Sequence, residues 1–229
     1  MPEFRLQTPR LVLRQWREED IDPFHGICSD PVVMETLGPL MSRDEVAALV
    51  ARMYRMQVED GHCFWAMERK EDGQLIGWCG IIRGRPGTSI DGKPEAGWRM
   101  TPSAWGKGYV TEAAVASVQW AFDHLPDDAV WAITNTDNRR SRAVMERIGM
   151  VYDPTLDFDH PQVPADSPLL RHVTYRIDRL DWGQRGEGRM SEASGMRGRG
   201  LFVLTIFTGS FLLFLVQPMV ARMALPRLG

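Results

Sequence analysis

Trp105-Gly106-Lys107-Gly108-Tyr109-Val110, followed by Thr111-Glu112-Ala113, stands where a short strand-like run gives way to a long helical one. Two glycines one residue apart at the start of a helix let backbone N–H groups come close to an anion, and the helix dipole adds partial positive charge at that end. Alone, a Gly-x-Gly step is better explained as a tight turn with no ligand, so its neighbours decide. Residues 95–100 read as a strand, Pro102 breaks it, and 108–124 carry Val110, Ala113, Ala114, Ser117 and Ala121 before Leu125-Pro126-Asp127-Asp128 ends the run. A strand, a glycine turn and a small-residue helix make a unit of the right size to hold a pyrophosphate. A Rossmann site would need glycine at Thr111 and an early first strand, and a Walker loop would need Ser or Thr directly after Lys107. Neither pattern is present. On this reading Gly108→Trp crowds the anion and leaves the thermal transition of the fold largely intact.

Outward from that turn the chain alternates recognisable elements. Residues 11–16 alternate apolar and polar side chains after Thr8-Pro9-Arg10, as a first strand does, and Glu18 or Asp20 leads a short helix. Ser42 with Glu45 three residues on is a capping box that introduces Val46, Leu49, Val50 and Met53 at helical spacing and ends at Asp60-Gly61. Runs 63–68 and 75–82 flank Glu71-Asp72-Gly73 as a hairpin, and 84–94 is a Gly- and Pro-rich loop. Downstream, 129–134 is a buried strand, 138–148 a helix stopped by Gly149, and 150–152 and 172–177 complete the strands. The order predicts an α/β (α+β layered) domain with a mixed central sheet of about seven strands and helices on both faces. Segments 26–40 and 154–168 are substrate loops without a recognisable code.

The 229 residues, 44% hydrophobic and 25% charged, suffice for one sizeable core. A net charge of -3 and a pI near 6.0 give no general attraction to phosphate backbones, which argues against nucleic acid as a partner. Cys28, Cys63 and Cys79 show neither metal-ligand nor disulfide spacing. No metal is expected, and a reducing compartment fits. The amino terminus lacks the basic and apolar regions of a secretory signal, so a cytoplasmic catalytic domain is expected. Residues 183–200 read as a flexible linker. Residues 201–221 form a C-terminal hydrophobic helix, 21 residues without a charge, that would span about 31 Å and tether the domain to the inner membrane as a transmembrane helix, with 222–229 a short tail.

Trp-Gly-Lys-Gly-Tyr followed by Thr-Glu-Ala, with Thr8-Pro9-Arg10-Leu11, Glu95-Ala96-Gly97-Trp98, Asn138, Ser141 and Gly149, resembles the GNAT superfamily of N-acetyltransferases, in its ribosomal-protein N-terminal acetyltransferase branch. The likeness covers residues 8–179. The superfamily pattern of Arg or Gln, two residues, Gly, one residue, then Gly or Ala falls on Trp105, Gly108 and Val110 and departs from it at both ends. The tail resembles the first membrane segment of proteins fused to a spermidine-synthase-like domain.

What the resemblance implies is acetyl transfer from acetyl-CoA, as co-substrate, to an amine acceptor by direct attack in a ternary complex. The amine belongs to a protein N-terminus or a small molecule. The cofactor-binding set would be Met100, Trp105, Gly106, Lys107, Gly108, Tyr109, Val110, Asn138 and Ser141, with the Met100 backbone N–H as oxyanion donor. A carboxylate raised in pKa by partial burial can take the amine proton, and Glu95 is the candidate; its alternative is a solvated charge at a strand end. Glu112 sits in the first helical turn and reads as structural. Many relatives carry a tyrosine four residues before the closing glycine, and here that position is Met145, which has no proton to donate. Ser141 is then either a hydrogen-bond donor to the thiol sulfur or an ordinary first-turn residue, and Asn138 an N-cap that also reaches the pantetheine arm. The tryptophans read as core, and His62, His124 and His172 as isolated side chains. The competing function is a non-catalytic acyl-CoA-binding or membrane-tethered sensor, distinguished by the absence of thiol release with any amine.

Overall fold

Ser42 accepts a hydrogen bond from the Glu45 N–H while the Glu45 carboxylate accepts from the Ser42 N–H, and this reciprocal cap starts a 17-residue helix, Arg43–Glu59. The computed structural model describes residues 3–184. Its first compact unit is Met1–Leu180; of the second, Asp181–Gly229, only residues 181–184, which are helical, are described. The expected segment 201–221, most of the linker at 183–200 and the tail at 222–229 lie outside the described residues. Among the described residues no helix is long and apolar enough to cross a membrane.

The strands are β1 (Arg5–Gln7), β2 (Leu11–Arg14), β3 (Phe64–Arg69), β4 (Leu75–Arg83), β5 (Pro94–Met100), β6 (Ala129–Asn135), β7 (Val151–Tyr152), β8 (Phe158–Asp159) and β9 (Arg171–Asp178). They form one mixed sheet in the order β1-β2-β3-β4-β5-β6-β9-β7, with β8 also pairing with β9. The helices are α1 (Ile21–Cys28), α2 (Pro31–Met34), α3 (Arg43–Glu59), α4 (Tyr109–His124) and α5 (Arg139–Ile148). The sheet has nine strands rather than about seven. The extra ones, β1 and β8, have only three and two residues and are made by pairing with β2 and β9, so no period-2 pattern announces them. Residues 26–40 are likewise not a plain loop: Asp30 caps α2 by accepting from the Val32 N–H, with Pro31 at its first position.

Adjacent residues of a strand face opposite sides, and β4 shows how the layers form. Trp78 packs with Phe24 of α1, Trp16 and Phe64 on one face, while Cys79 meets Ser117 of α4 on the other. Trp65 and Trp78 are buried as expected of core, whereas Trp98, Trp105, Trp120 and Trp131 are only half-buried. Every one of the nine strands pairs antiparallel with at least one neighbour, and the one parallel pairing among the described residues is β5 with β6. These two are parallel, connected through α4, and meet at a single register point, Glu95↔Trp131.

Candidate active site

Opposite that meeting point the sheet opens. Thr101 donates to the Ile76 carbonyl at 3.0 Å and β4 pairs Gly77 with Met100, so Met100 is a non-hydrogen-bonded position of that ladder. Its N–H and C=O therefore point away from β4 into the gap beside β6. The Met100 carbonyl accepts from the Trp105 indole Nε1 at 2.9 Å, and the Arg140 guanidinium stacks on the Trp105 ring at 4.3 Å. The gap between β5 and β6 is thus walled by Met100, Trp105 and the first turn of α5. Arg140 also pairs with Glu35 at 3.2 Å, tying the residue after α2 to the same wall.

The turn before α4 carries its sequence reading in its backbone. Gly106 and Gly108 lie at φ +74 and +80, the left-handed region that glycine alone enters freely. Gly108 is the N-cap of α4 with no side-chain cap bond, and the N–H groups of residues 106–111 have no acceptor among the described residues. Six consecutive donors without an acceptor, at a helix start that follows two left-handed residues, are an arrangement of the kind that can hold an anion. A Cβ at Gly106 would meet nothing within 4 Å, so the turn is open in front. Lys107 is exposed, and the Tyr109 side chain is buried beneath the Arg10 guanidinium, 4.6 Å from its ring centroid. The left-handed φ also corrects the sequence expectation for Gly108→Trp, because any side chain there strains the backbone and lowers stability by about 1–2 kcal/mol.

A clamp that the sequence did not reveal holds this turn. Glu112 accepts from Thr8 Oγ1 at 2.6 Å, from the Arg10 N–H at 2.8 Å and from Arg10 Nε at 2.6 Å, and Arg10 Nη1 donates to the Lys107 carbonyl at 2.9 Å. Burial raises the Glu112 pKa, but the bonds from Thr8 and Arg10 outweigh it and hold the carboxyl below its usual range. The structural reading of Glu112 is thereby given its partners. Glu112→Ala removes charge-assisted bonds from a carboxylate only 16% exposed, and is expected to cost about 1–2 kcal/mol, or about 3–6 °C in Tm for a domain of this size. Differential scanning fluorimetry checks this; an unchanged Tm would show that the clamp contributes nothing.

At the start of α5, Asn138 caps the helix by accepting from the Ser141 N–H at 3.1 Å and donates to Thr134 Oγ1 at 2.9 Å. The buried Asn138 side chain is therefore engaged at both ends within the domain. Half-buried Ser141 has a hydroxyl with no partner among the described residues. Met145 is 1% exposed and is a core side chain.

Glu95 faces a cavity of about 360 Å³ bounded by residues 36–39, by Ile133, Thr134 and Asn135 at the end of β6, and by residues 160–169. Burial raises its pKa to about 7, against a smaller lowering by Arg85. Glu95, Gly97 and Arg99 share one face of β5, and Met100 belongs to the other. The cavity also contains His160 and His172, whose ring centroids are 4.8 Å apart with the planes tilted by 43°. His172 is therefore not isolated as its sequence setting implied: Phe158↔His172 pairing of β8 with β9 turns the intervening segment back so that His160 meets it. Burial, then the neighbouring His172 and Arg85, push His160 down to about 4, and burial lowers His172 as well. His62, by contrast, is a buried side chain bonded to the Ile81 carbonyl, and exposed His124 stacks on Trp120.

The family model described as an acetyltransferase (GNAT) domain matches residues 10–151. The chain is 29% identical over 155 residues to the protein YkkB of Bacillus subtilis (strain 168), covering 66% of this chain and 88% of that one. It is 31% identical over 115 residues to the FsC-acetyl coenzyme A-N(2)-transacetylase of Aspergillus fumigatus, covering 48% of each, so it spans about half the length of that relative. Among solved structures, an acetyltransferase from Agrobacterium tumefaciens str. C58 superposes with a TM-score of 0.62 at 27% identity, covering 78% of this chain and 95% of that one.

Proposed function

Since the chain belongs to the GNAT acetyltransferase family, whose members transfer the acetyl group of acetyl-CoA to an amine, we propose that Glu95 is its general base and that the donors of residues 106–111 hold the pyrophosphate. The observation that supports this reading is the run of six N–H groups at residues 106–111 that have no acceptor among the described residues. The Trp105 indole donates to the Met100 carbonyl at one end of β5, and Glu95, near the other end of the same strand, lines the cavity at residues 36–39 and 160–169. On this reading donor and acceptor meet along β5.

The chemistry is a direct acyl transfer. A neutral amine in the cavity attacks the thioester carbonyl, the C–N bond forms as the C–S bond breaks, and the amine proton passes to the Glu95 carboxylate directly or through one water. The Met100 N–H, aimed into the gap, donates to the carbonyl oxygen as it gains negative charge. Ser141 Oγ, without a partner among the described residues, donates to the departing sulfur. Asn138 organises the α5 start through its cap rather than through free side-chain groups.

The test is release of CoA thiol from acetyl-CoA against a panel of primary amines. Turnover with any amine supports the reading, and binding of CoA without thiol release under every amine would favour the non-catalytic alternative. The catalytic domain is assigned to residues 8–179, followed by the linker at 183–200 and an anchor at 201–221. The uncharged length of that last segment supports the anchor. Membrane fractionation of the full chain against one ending at 184 tests it, and equal partitioning would remove the anchor.

A further inference from the structure

The cavity that holds Glu95 also receives a guanidinium that the acyl-transfer steps leave unused. Arg85 lies in the loop between β4 and β5, lines the cavity, and donates to the neutral Gln162 amide. It has no carboxylate partner among the described residues. Arg52 of α3 is its neighbour, and the Arg52 Nε is buried with no hydrogen-bond partner. Burial, then the charges of Arg85 and Arg55, lower the Arg52 pKa. Two like charges within electrostatic reach of each other, one with a buried unbonded donor, are costly unless an anion supplies the counter-charge.

The other groups of the cavity do not supply it. His160 and His172 are uncharged at neutral pH, because burial holds both below the usual imidazole range. Glu95 makes no ion pair with Arg85 among the described residues. Arg99, the other arginine with a buried unbonded Nε, is committed elsewhere, with its guanidinium 5.1 Å from the Trp78 ring and donating to Cys28 Sγ at 2.9 Å.

We propose that Arg85 is an anion subsite for the acceptor, which is a small amine that also carries a carboxylate, as a free amino acid does, with the charge of Arg52 adding to the field there. This rests on the reading of Glu95 as the base: the amine end lies at Glu95 while the carboxylate lies on the guanidinium of Arg85, whose planar fork matches it. A cavity of about 360 Å³ accommodates a molecule of that size. The amino-terminal residue of a protein has an amide where the free amino acid has its carboxylate, so the subsite separates the two acceptor classes.

The experiment offers free amino acids and their matching α-carboxamides with saturating acetyl-CoA, and titrates the N-acetylated products of both series onto the CoA-bound enzyme by calorimetry. At least one free amino acid is expected to exceed its carboxamide by about tenfold in kcat/KM, and its N-acetyl product to bind about tenfold tighter. Arg85→Gln brings both ratios close to one, and Arg52→Gln moves them in the same direction, through KM rather than kcat. Acids and carboxamides that are equivalent in both series, or a preference that survives in both variants, overturns the subsite. Thiol release with uncharged amines or peptides alone leaves the acetyltransferase chemistry standing and this inference fallen. Carboxylate-dependent product binding without any thiol release would do the reverse.

Discussion

Glu95→Gln is expected to lower kcat/KM about 100-fold and to remove the rise near pH 7 from its pH profile. A positioned general base contributes about 10²–10⁴-fold, and the low end is apt where the acceptor amine can also lose its proton to water. With the wild-type carboxyl titrating at about 7, activity rises through neutral pH as the base form appears. In the variant only the acceptor's own amine ionisation remains. The same substitution carries an opposite effect on stability. A folded-state pKa above the ordinary carboxylate value means that folding prefers the neutral acid. The cost is absent below the unfolded pKa, grows as pH climbs toward 7, and is complete above it. At about 1.4 kcal/mol per pKa unit, discounted for the part of the carboxylate in contact with water, it amounts to about 2–3 kcal/mol. Glutamine has no such cost, so the variant should melt about 5 °C or more above wild type at alkaline pH and converge with it in acid. Matching melting curves at both pH values, or wild-type rates across the range, would make Glu95 a bystander.

The contrast between Glu95 and Arg85 shows what a sequence discloses. Glu95 is legible because a carboxylate on a strand next to a glycine turn is a local pattern, and its strand is fixed by its neighbours. The turn itself is legible for the same reason: an anion concavity is built from consecutive backbone N–H groups, so its chemistry is written in glycine spacing. Capped helices belong with it. Ser42 with Glu45, and Asn138 with Ser141, satisfy donors within three residues, and each marks its helix start in the sequence.

What escaped is whatever depends on distant segments meeting. Arg10 reaches Glu112 across 102 positions, and neither residue hints at the other. His160 meets His172 only because β8 and β9 pair, and two-residue strands have no periodicity to read. Arg52 sits within the helical run of α3, where an arginine ordinarily marks a solvated face, and its neighbour Arg85 lies in a loop whose composition promised only a turn. On the proposed reading the acceptor side of the site is assembled by such meetings and the CoA side by local backbone. That is why the donor's place could be proposed from the sequence, and the acceptor's only from the fold.

Gly106→Asn is expected to raise the KM for acetyl-CoA about tenfold or more while moving Tm by no more than about 2 °C, whereas Gly108→Ala should do the opposite. The two glycines differ in what a side chain would meet. At Gly106, within the run of donors, a Cβ enters space with nothing within 4 Å, and asparagine tolerates the left-handed φ of +74 better than most residues do. Its side chain therefore fills the volume an incoming pyrophosphate needs without straining the turn. At Gly108 a Cβ would lie 3.5 Å from Arg10 Nη2, an ordinary contact with the end of a flexible side chain, so crowding is slight. Alanine at φ +80 is strained regardless, by about 1–2 kcal/mol, and the loss falls on the α4 start that Gly108 caps. Isothermal titration with CoA and thermal melts of both variants separate the two effects. If Gly106→Asn binds CoA as wild type does, the donors of residues 106–111 do not hold the pyrophosphate. If Gly108→Ala melts as wild type does, the left-handed conformation is not what that glycine supplies.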